Sequence, residues 1–141
     1  MILKVTLTLP LPDRCLSPNS RSHWGKKARA GKRQRLLAAV VMGEALEEIS
    51  EEMDWQHSVI QPVYYFRDKR RRDRDNYAAM LKASFDGIAD ATSVDDKEFI
   101  PLPCVMGVDK EDPRVVLIVT AESIAVEYRS PPCEDLGTTG R

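Results

Sequence analysis

Histidine and cysteine are scarce in this chain of 141 residues, with two of the first and three of the second. His23 and His57 are too few and too isolated to build an imidazole metal site. Cys15, Cys104 and Cys133 are odd in number, widely spaced and outside any C-x-x-C pattern, so neither a disulfide framework nor a zinc site is supported. A bound metal would have to be held by carboxylates, which selects Mg²⁺ or Mn²⁺. No run is long and apolar enough to span a bilayer, and the N-terminus lacks a charged segment followed by an apolar one. The expectation is a cytoplasmic protein with no membrane partner and no organic cofactor.

What is present suits one compact domain. The apolar fraction of 43% is that of a folded protein, and 141 residues can bury a single core. Net charge is −1, but it is unevenly spread. Residues 1–85 carry 16 Lys and Arg against 10 Asp and Glu, and residues 86–141 carry 5 against 12. One basic face docking on phosphates is compatible with that asymmetry.

Ile2 to Leu9 alternates, with Leu3, Val5, Leu7 and Leu9 on one side, which predicts a half-buried strand. After an irregular loop with Pro10, Pro12 and Ser17-Pro18-Asn19-Ser20, a long helix is expected from about Ser22 to Met53, capped by Ser20 or Ser22. Its first half is basic; its second half places Leu36, Val40, Leu46, Ile49 and Met53 at helical spacing, with the glutamates outward. Ser58 to Arg67 reads as a strand in which Pro62 calls for an edge or a bulge. A helix over about 76–89 follows, with Tyr77, Leu81, Phe85 and Ile88 as its core stripe. Glu98–Val108 and Arg114–Ala121 are expected to form a hairpin around Asp109–Pro113, and Trp24 and Trp55 to anchor the core. The resulting fold class is α/β (α+β), a small mixed β-sheet packed by two helices in the order β-α-β-α-β-β. The domain is expected over residues 1–129 and a frayed C-terminal tail over 130–141.

The charged segment Lys69-Arg70-Arg71-Arg72-Asp73-Arg74-Asp75 admits two readings. As a solvated loop it carries surface ion pairs worth under about 1 kcal/mol each. As a site, Asp73 and Asp75 point to the same side if the segment is extended, and such a pair calls for a cation or a shared proton. Lys82 and Asp86, four apart on a helix, share a face, and Asp95-Asp96 adds carboxylates just before a strand. Carboxylates holding Mg²⁺, a lysine at the phosphate and arginines on neighbouring phosphates are the parts phosphodiester hydrolysis needs.

The same segments, in this order, resemble the RusA-type Holliday junction resolvases of phages and prophages. Arg71-Arg72-Asp73-Arg74-Asp75-Asn76 is similar to that family's R-R-D-x-D-N, and Lys82-Ala83-Ser84-Phe85-Asp86-Gly87-Ile88 to its helical K-A-x-x-D-G-L/I. Asp95-Asp96 resembles the D-D that follows. The loop Leu9-Pro10-Leu11-Pro12 with Ser17-Pro18-Asn19-Ser20-Arg21 resembles the N-terminal part of phage-type members. The resemblance spans roughly residues 1–121. It implies a Mg²⁺-dependent endonuclease in which Asp73, Asp75 and Asp96 bind the metal and Lys82 assists. It further implies a homodimer that nicks opposed strands of a four-way DNA junction, leaving 5′-phosphate and 3′-hydroxyl ends. Arg70, Arg71, Arg72 and Arg74, with Lys26, Lys27, Arg29, Lys32 and Arg33, are the expected DNA contacts. The competing expectation is a non-catalytic DNA-binding or regulatory protein on the same fold.

Overall fold

The structure, a computed structural model, describes residues 1–124. The expected tail over 130–141, and Cys133 with it, lies outside the described residues. The elements in chain order are β1 (Ile2–Leu9), α1 (Trp24–Leu46), β2 (Met53–Phe66), α2 (Arg74–Ala79), α3 (Lys82–Thr92), β3 (Ile100–Pro101), β4 (Val105–Val108) and β5 (Arg114–Ser123). They form a small α+β fold, an open mixed sheet of five strands packed by helices. Two single 3₁₀ turns, Arg14–Leu16 and Asp96–Glu98, complete the set.

The sheet runs β1-β5-β2-β3, with β4 also pairing with β2 beyond β3. Val5, Leu7 and Leu9 of β1 are buried as the alternation predicts, and Val115, Leu117, Val119 and Ala121 of β5 repeat the pattern. This alternation gives the sheet one covered face. On it Ile60, Tyr64 and Leu117 meet Met42 of α1 and Leu81 and Ile88 of the α2–α3 segment in one core.

The expected hairpin does not form. β5 lies antiparallel between β1 and β2, while β3 and β4 run parallel to β2 on its other side. The burial patterns carry the reason. β5 fills the sheet's centre with four fully buried apolar residues, whereas Val105 and Val108 of β4 stay half exposed, as befits an edge. Pro62 is correspondingly not at an edge. Ile60 O accepts from Leu102 N, so the nitrogen of Pro62, two residues on, faces that same side. There the parallel ladder skips from Pro101 to Val105, and the missing N–H costs no bond. The irregularity in β2 falls earlier, between Asp54 and Val59, and β2 starts at Met53 instead of Ser58.

α1 is shorter than expected and capped one residue further on, by His23, whose Nδ1 accepts from Gly25 N–H at 3.0 Å. Its core face is only partly the expected one: Leu46, and Ile49 just beyond the helix, pack against the core and Met53 is buried at the start of β2, but Leu36 and Val40 point outward. Ala30, Ala38 and Met42 are buried, whereas Leu36 and Val40 are 65% and 48% exposed and Trp24 is 76% exposed. Trp55 is half-buried against the core. Small residues define the inner face because α3 crosses close by: a Cβ on Gly87 would stand 2.3 Å from Arg35 O and 2.8 Å from Ala38 Cβ. The bidentate bond from Arg35 to Asp90, at 2.7 and 2.8 Å, pins the same crossing. It holds the Asp90 carboxyl below its ordinary range.

Candidate active site

The helix expected over 76–89 is interrupted at Met80-Leu81, giving α2 and α3 at the site. Asp73 has extended backbone and caps α2, its Oδ1 accepting from the N–H groups of Asp75 (2.9 Å) and Asn76 (3.3 Å). The two aspartates are therefore not neighbours along an extended segment. Asp73 sits outside the helix and Asp75 in its first turn, an arrangement favoured by the helix's unpaired N–H groups and dipole.

Aromatic packing anchors this loop to the end of β2. Tyr64, Phe66 and Tyr77 stack and meet edge-on with ring centres 5.0–5.2 Å apart. The Tyr64 hydroxyl donates to Tyr77 O at 2.7 Å. Arg72 lies over the Phe66 ring at 4.0 Å and donates to Asp68 Oδ1 at 2.9 Å. Its side chain is only 14% exposed, so Arg72 is committed to holding the loop. Asp68 stays below its ordinary pKa through the Arg70 backbone N–H, then the Arg72 guanidinium. From α1, Gln34 Nε2 donates to Met80 O (3.1 Å) and Ser84 Oγ (2.6 Å), fixing the joint between α2 and α3.

At the start of α3, Lys82 Nζ donates to Asp86 Oδ1 at 2.8 Å and to Asp96 Oδ2 at 2.9 Å. The first contact spans one helical turn; the second needs the chain to return. Ser93 turns it, at φ 60° in the left-handed region. Asp95 then caps the 3₁₀ turn by accepting from Lys97 N–H and presents Asp96 to the lysine. Asp86 and then Asp96 raise the Lys82 pKa, and Lys82 in turn lowers that of Asp96. The ammonium thus bridges two carboxylates, as a bound cation would.

Among the described residues no three His, Cys, Asp or Glu side chains form a group able to hold a metal ion, and Asp73, Asp75 and Asp96 do not close into one. By donor chemistry they nevertheless suit Mg²⁺: all are carboxylate oxygens, and Asp73 engages only Oδ1 in its cap.

Around the loop the charge is positive. A cleft of about 400 Å³ is lined by Arg70, Arg71, Arg72, Asn76 and, from the first 3₁₀ turn and the residue that follows it, Arg14 and Ser17. Arg14 was not singled out in the sequence, where it is one isolated basic residue after a proline loop. Asp86 meets Lys82 as their i+4 spacing on a helix predicts. Of the basic residues of α1, Lys27 donates to Ser20 O at 2.9 Å. Arg29 and Lys32 line a shallow groove with Asp86 between α1 and α3. No helix among the described residues is long and apolar enough to cross a membrane.

No family model matches the chain. It is 32% identical over 120 residues to an uncharacterized protein of Xylella fastidiosa (strain Temecula1 / ATCC 700964), an alignment that covers 82% of this chain and 75% of that protein. An identity of that level over most of both chains places this chain in the same family as the Xylella fastidiosa protein.

Proposed function

We propose that the chain is a Mg²⁺-dependent (or Mn²⁺-dependent) endodeoxyribonuclease of the RusA type, acting in the cytoplasm as a homodimer on four-way DNA junctions. The observation that carries this reading is the meeting of Lys82 with Asp86 and Asp96. Two segments of the resembled motif, fourteen residues apart, come together one short helix away from the third, Asp73 and Asp75.

In this reading Asp73, Asp75 and Asp96 would hold the ion, whose charge would offset their mutual repulsion as they draw together. When bound, it lowers the pKa of a water and stabilises charge on the phosphate. Asp86 keeps Lys82 at hand, and the lysine's ammonium neutralises the oxyanion that develops as the phosphodiester breaks. Arg14, Arg70, Arg71 and Arg74 bind backbone phosphates; such contacts position DNA and carry no sequence information. Arg72 acts behind them by fixing the loop.

The test is cleavage of a synthetic four-way junction in Mg²⁺, with Asp75→Asn as control. Wild type is expected to nick opposed strands, and Asp75→Asn to lose cleavage by about 10²-fold or more while still binding junctions in Ca²⁺. Junction binding without cleavage in wild type would replace the enzyme by a DNA-binding protein. Equal cleavage of linear duplex would make it a general nuclease.

A further inference from the structure

The outward face of α1 carries a stripe at positions 29, 33, 36, 40, 43 and 47, separated by alternate steps of four and three. That is the spacing of a helix seam that packs against another helix. Arg29, Arg33, Leu36, Val40 and Glu47 on it are all exposed. A side chain added at Gly43 would meet nothing within 4 Å. The stripe reads basic, basic, apolar, apolar, glycine, acidic, so its two ends are electrostatic opposites about an apolar centre. Leu36, at 65% exposed, and Val40, at 48%, stand in open solvent on the side of the helix opposite the buried Ala30, Ala38 and Met42. No partner within the described residues covers them.

We propose that this face is the contact between two copies of the chain, their α1 helices antiparallel about a two-fold axis at the level of Ala38. In that register Leu36 of each copy packs against Val40 of the other. Arg29 stands opposite the partner subunit's Glu47. Arg33 falls opposite the partner subunit's Gly43, where the missing side chain leaves room for the arginine stem and lets its guanidinium reach the partner subunit's Glu44. Every contact occurs twice, as a two-fold interface requires. Charge selects both occupant and direction. A parallel pair sets Arg29 and Arg33 against themselves, and a nucleic acid at this stripe meets glutamates and two bare apolar side chains at its centre. None of Arg29, Arg33, Glu44 and Glu47 forms an ion pair among the described residues, so their charges are available to a partner. Lys26, Lys27 and Lys32 lie off the stripe and stay available as the expected DNA contacts, whereas Arg29 and Arg33, expected at DNA as well, belong to the interface. The interface gives a place to the homodimer of the proposed function, but it stands on the helix surface and holds for any substrate.

The test is the mass of the full chain by sedimentation equilibrium at micromolar concentration. Wild type is expected at twice the chain mass. Leu36→Glu is expected to raise the dimer dissociation constant by about 100-fold or more, since it sets like charges in a desolvated centre. The double variant Arg29→Glu/Arg33→Glu is expected to be monomeric, and mixing it with Glu44→Arg/Glu47→Arg to restore a heterodimer. A wild-type monomer overturns the proposal, as does a dimer indifferent to Leu36→Glu or a mixture that does not pair. A monomer that loses several degrees of melting temperature on Leu36→Glu overturns it in favour of a cover from within the chain. Because the readout is mass, loss of junction cleavage and loss of the dimer are separate outcomes.

Discussion

Gly87→Ala is the sharpest test of the crossing on which the candidate site rests. No glycine in the described residues has a positive φ, so alanine meets no backbone strain, and only space decides. A Cβ on Gly87 would lie 2.3 Å from Arg35 O and 3.0 Å from Ala39 N, both backbone atoms that cannot swing aside. Restoring van der Waals separation requires α1 and α3 to part by about 1 Å, and overpacking of this kind costs about 1–3 kcal/mol or more. Helix propensity returns about 1 kcal/mol for exchanging glycine for alanine. Gly31→Ala, in the middle of α1, collects the same return with its nearest new contact at an ordinary 4.0 Å, from Leu16 Cδ2. The two variants are thus expected to differ by the overpacking term, about 1–3 kcal/mol. That corresponds to roughly 3–12 °C in melting temperature for a domain of this size. Thermal unfolding followed by circular dichroism measures it. Gly31→Ala should melt at or above wild type and Gly87→Ala below. Equal melting temperatures would show that the helices are not in contact at Gly87, and the placement of Lys82 and Asp86 would lose its support.

Two further outcomes follow from single contacts. Tyr64 is fully buried and its hydroxyl donates to Tyr77 O at 2.7 Å, so Tyr64→Phe strands that carbonyl. A loss of about 1–2 kcal/mol is expected, read as a lower urea midpoint at constant slope; an unchanged midpoint refutes the bond. His57 is held above its ordinary 6.5 by the hydrogen bond to Asp54, then by the charges of Asp54 and Glu98. A raised folded-state pKa means stabilisation present in full below 6.5 and lost as pH rises through the folded value. The His57 ring protons should titrate above 6.5 by NMR, and Asp54→Asn should lower their midpoint. A wild-type midpoint at or below 6.5, or one that Asp54→Asn leaves unmoved, contradicts the pairing.

Local patterns were legible where the covering partner is simple. The alternation of β1 and the four-residue spacing of Lys82 and Asp86 could be read directly, because each depends on one strand or one helix. The stripe of Tyr77, Leu81, Phe85 and Ile88 survived even though the backbone breaks at Met80 and Leu81, since the side chains still meet one core. The face of α1 is only half legible from its large apolar residues, since Leu46 and Ile49 pack against the core while Leu36 and Val40 do not. Here a glycine on α3 brings the helices so close that only small residues fit between them, and Leu36 and Val40 are left outward. The supposed hairpin failed for a related reason. Strand-forming segments adjacent in sequence do not reveal that β5 pairs with β1 and β2, whose partner residues lie at least 49 positions upstream. Arg72 could not be told from its neighbours by composition; the Phe66 ring beneath it makes the difference.

The position of β5 also sets when the molecule can come into being. Among the described residues, every antiparallel bond of β1 and of β2 is made with β5, the last of their strands. On the ribosome, β1 and β2 therefore emerge with no sheet partner between them and wait for residues up to Ser123. Helix formation in α1 and α3 can run ahead, but the sheet closes only after β5, through Ser123, has left the exit tunnel. Its assembly follows the slow course of non-local pairing. A chain cut short before Arg114 is left with β1 unpaired and β2 bonded only to the short parallel strands β3 and β4, a substrate for chaperones and proteases more than a smaller version of the fold.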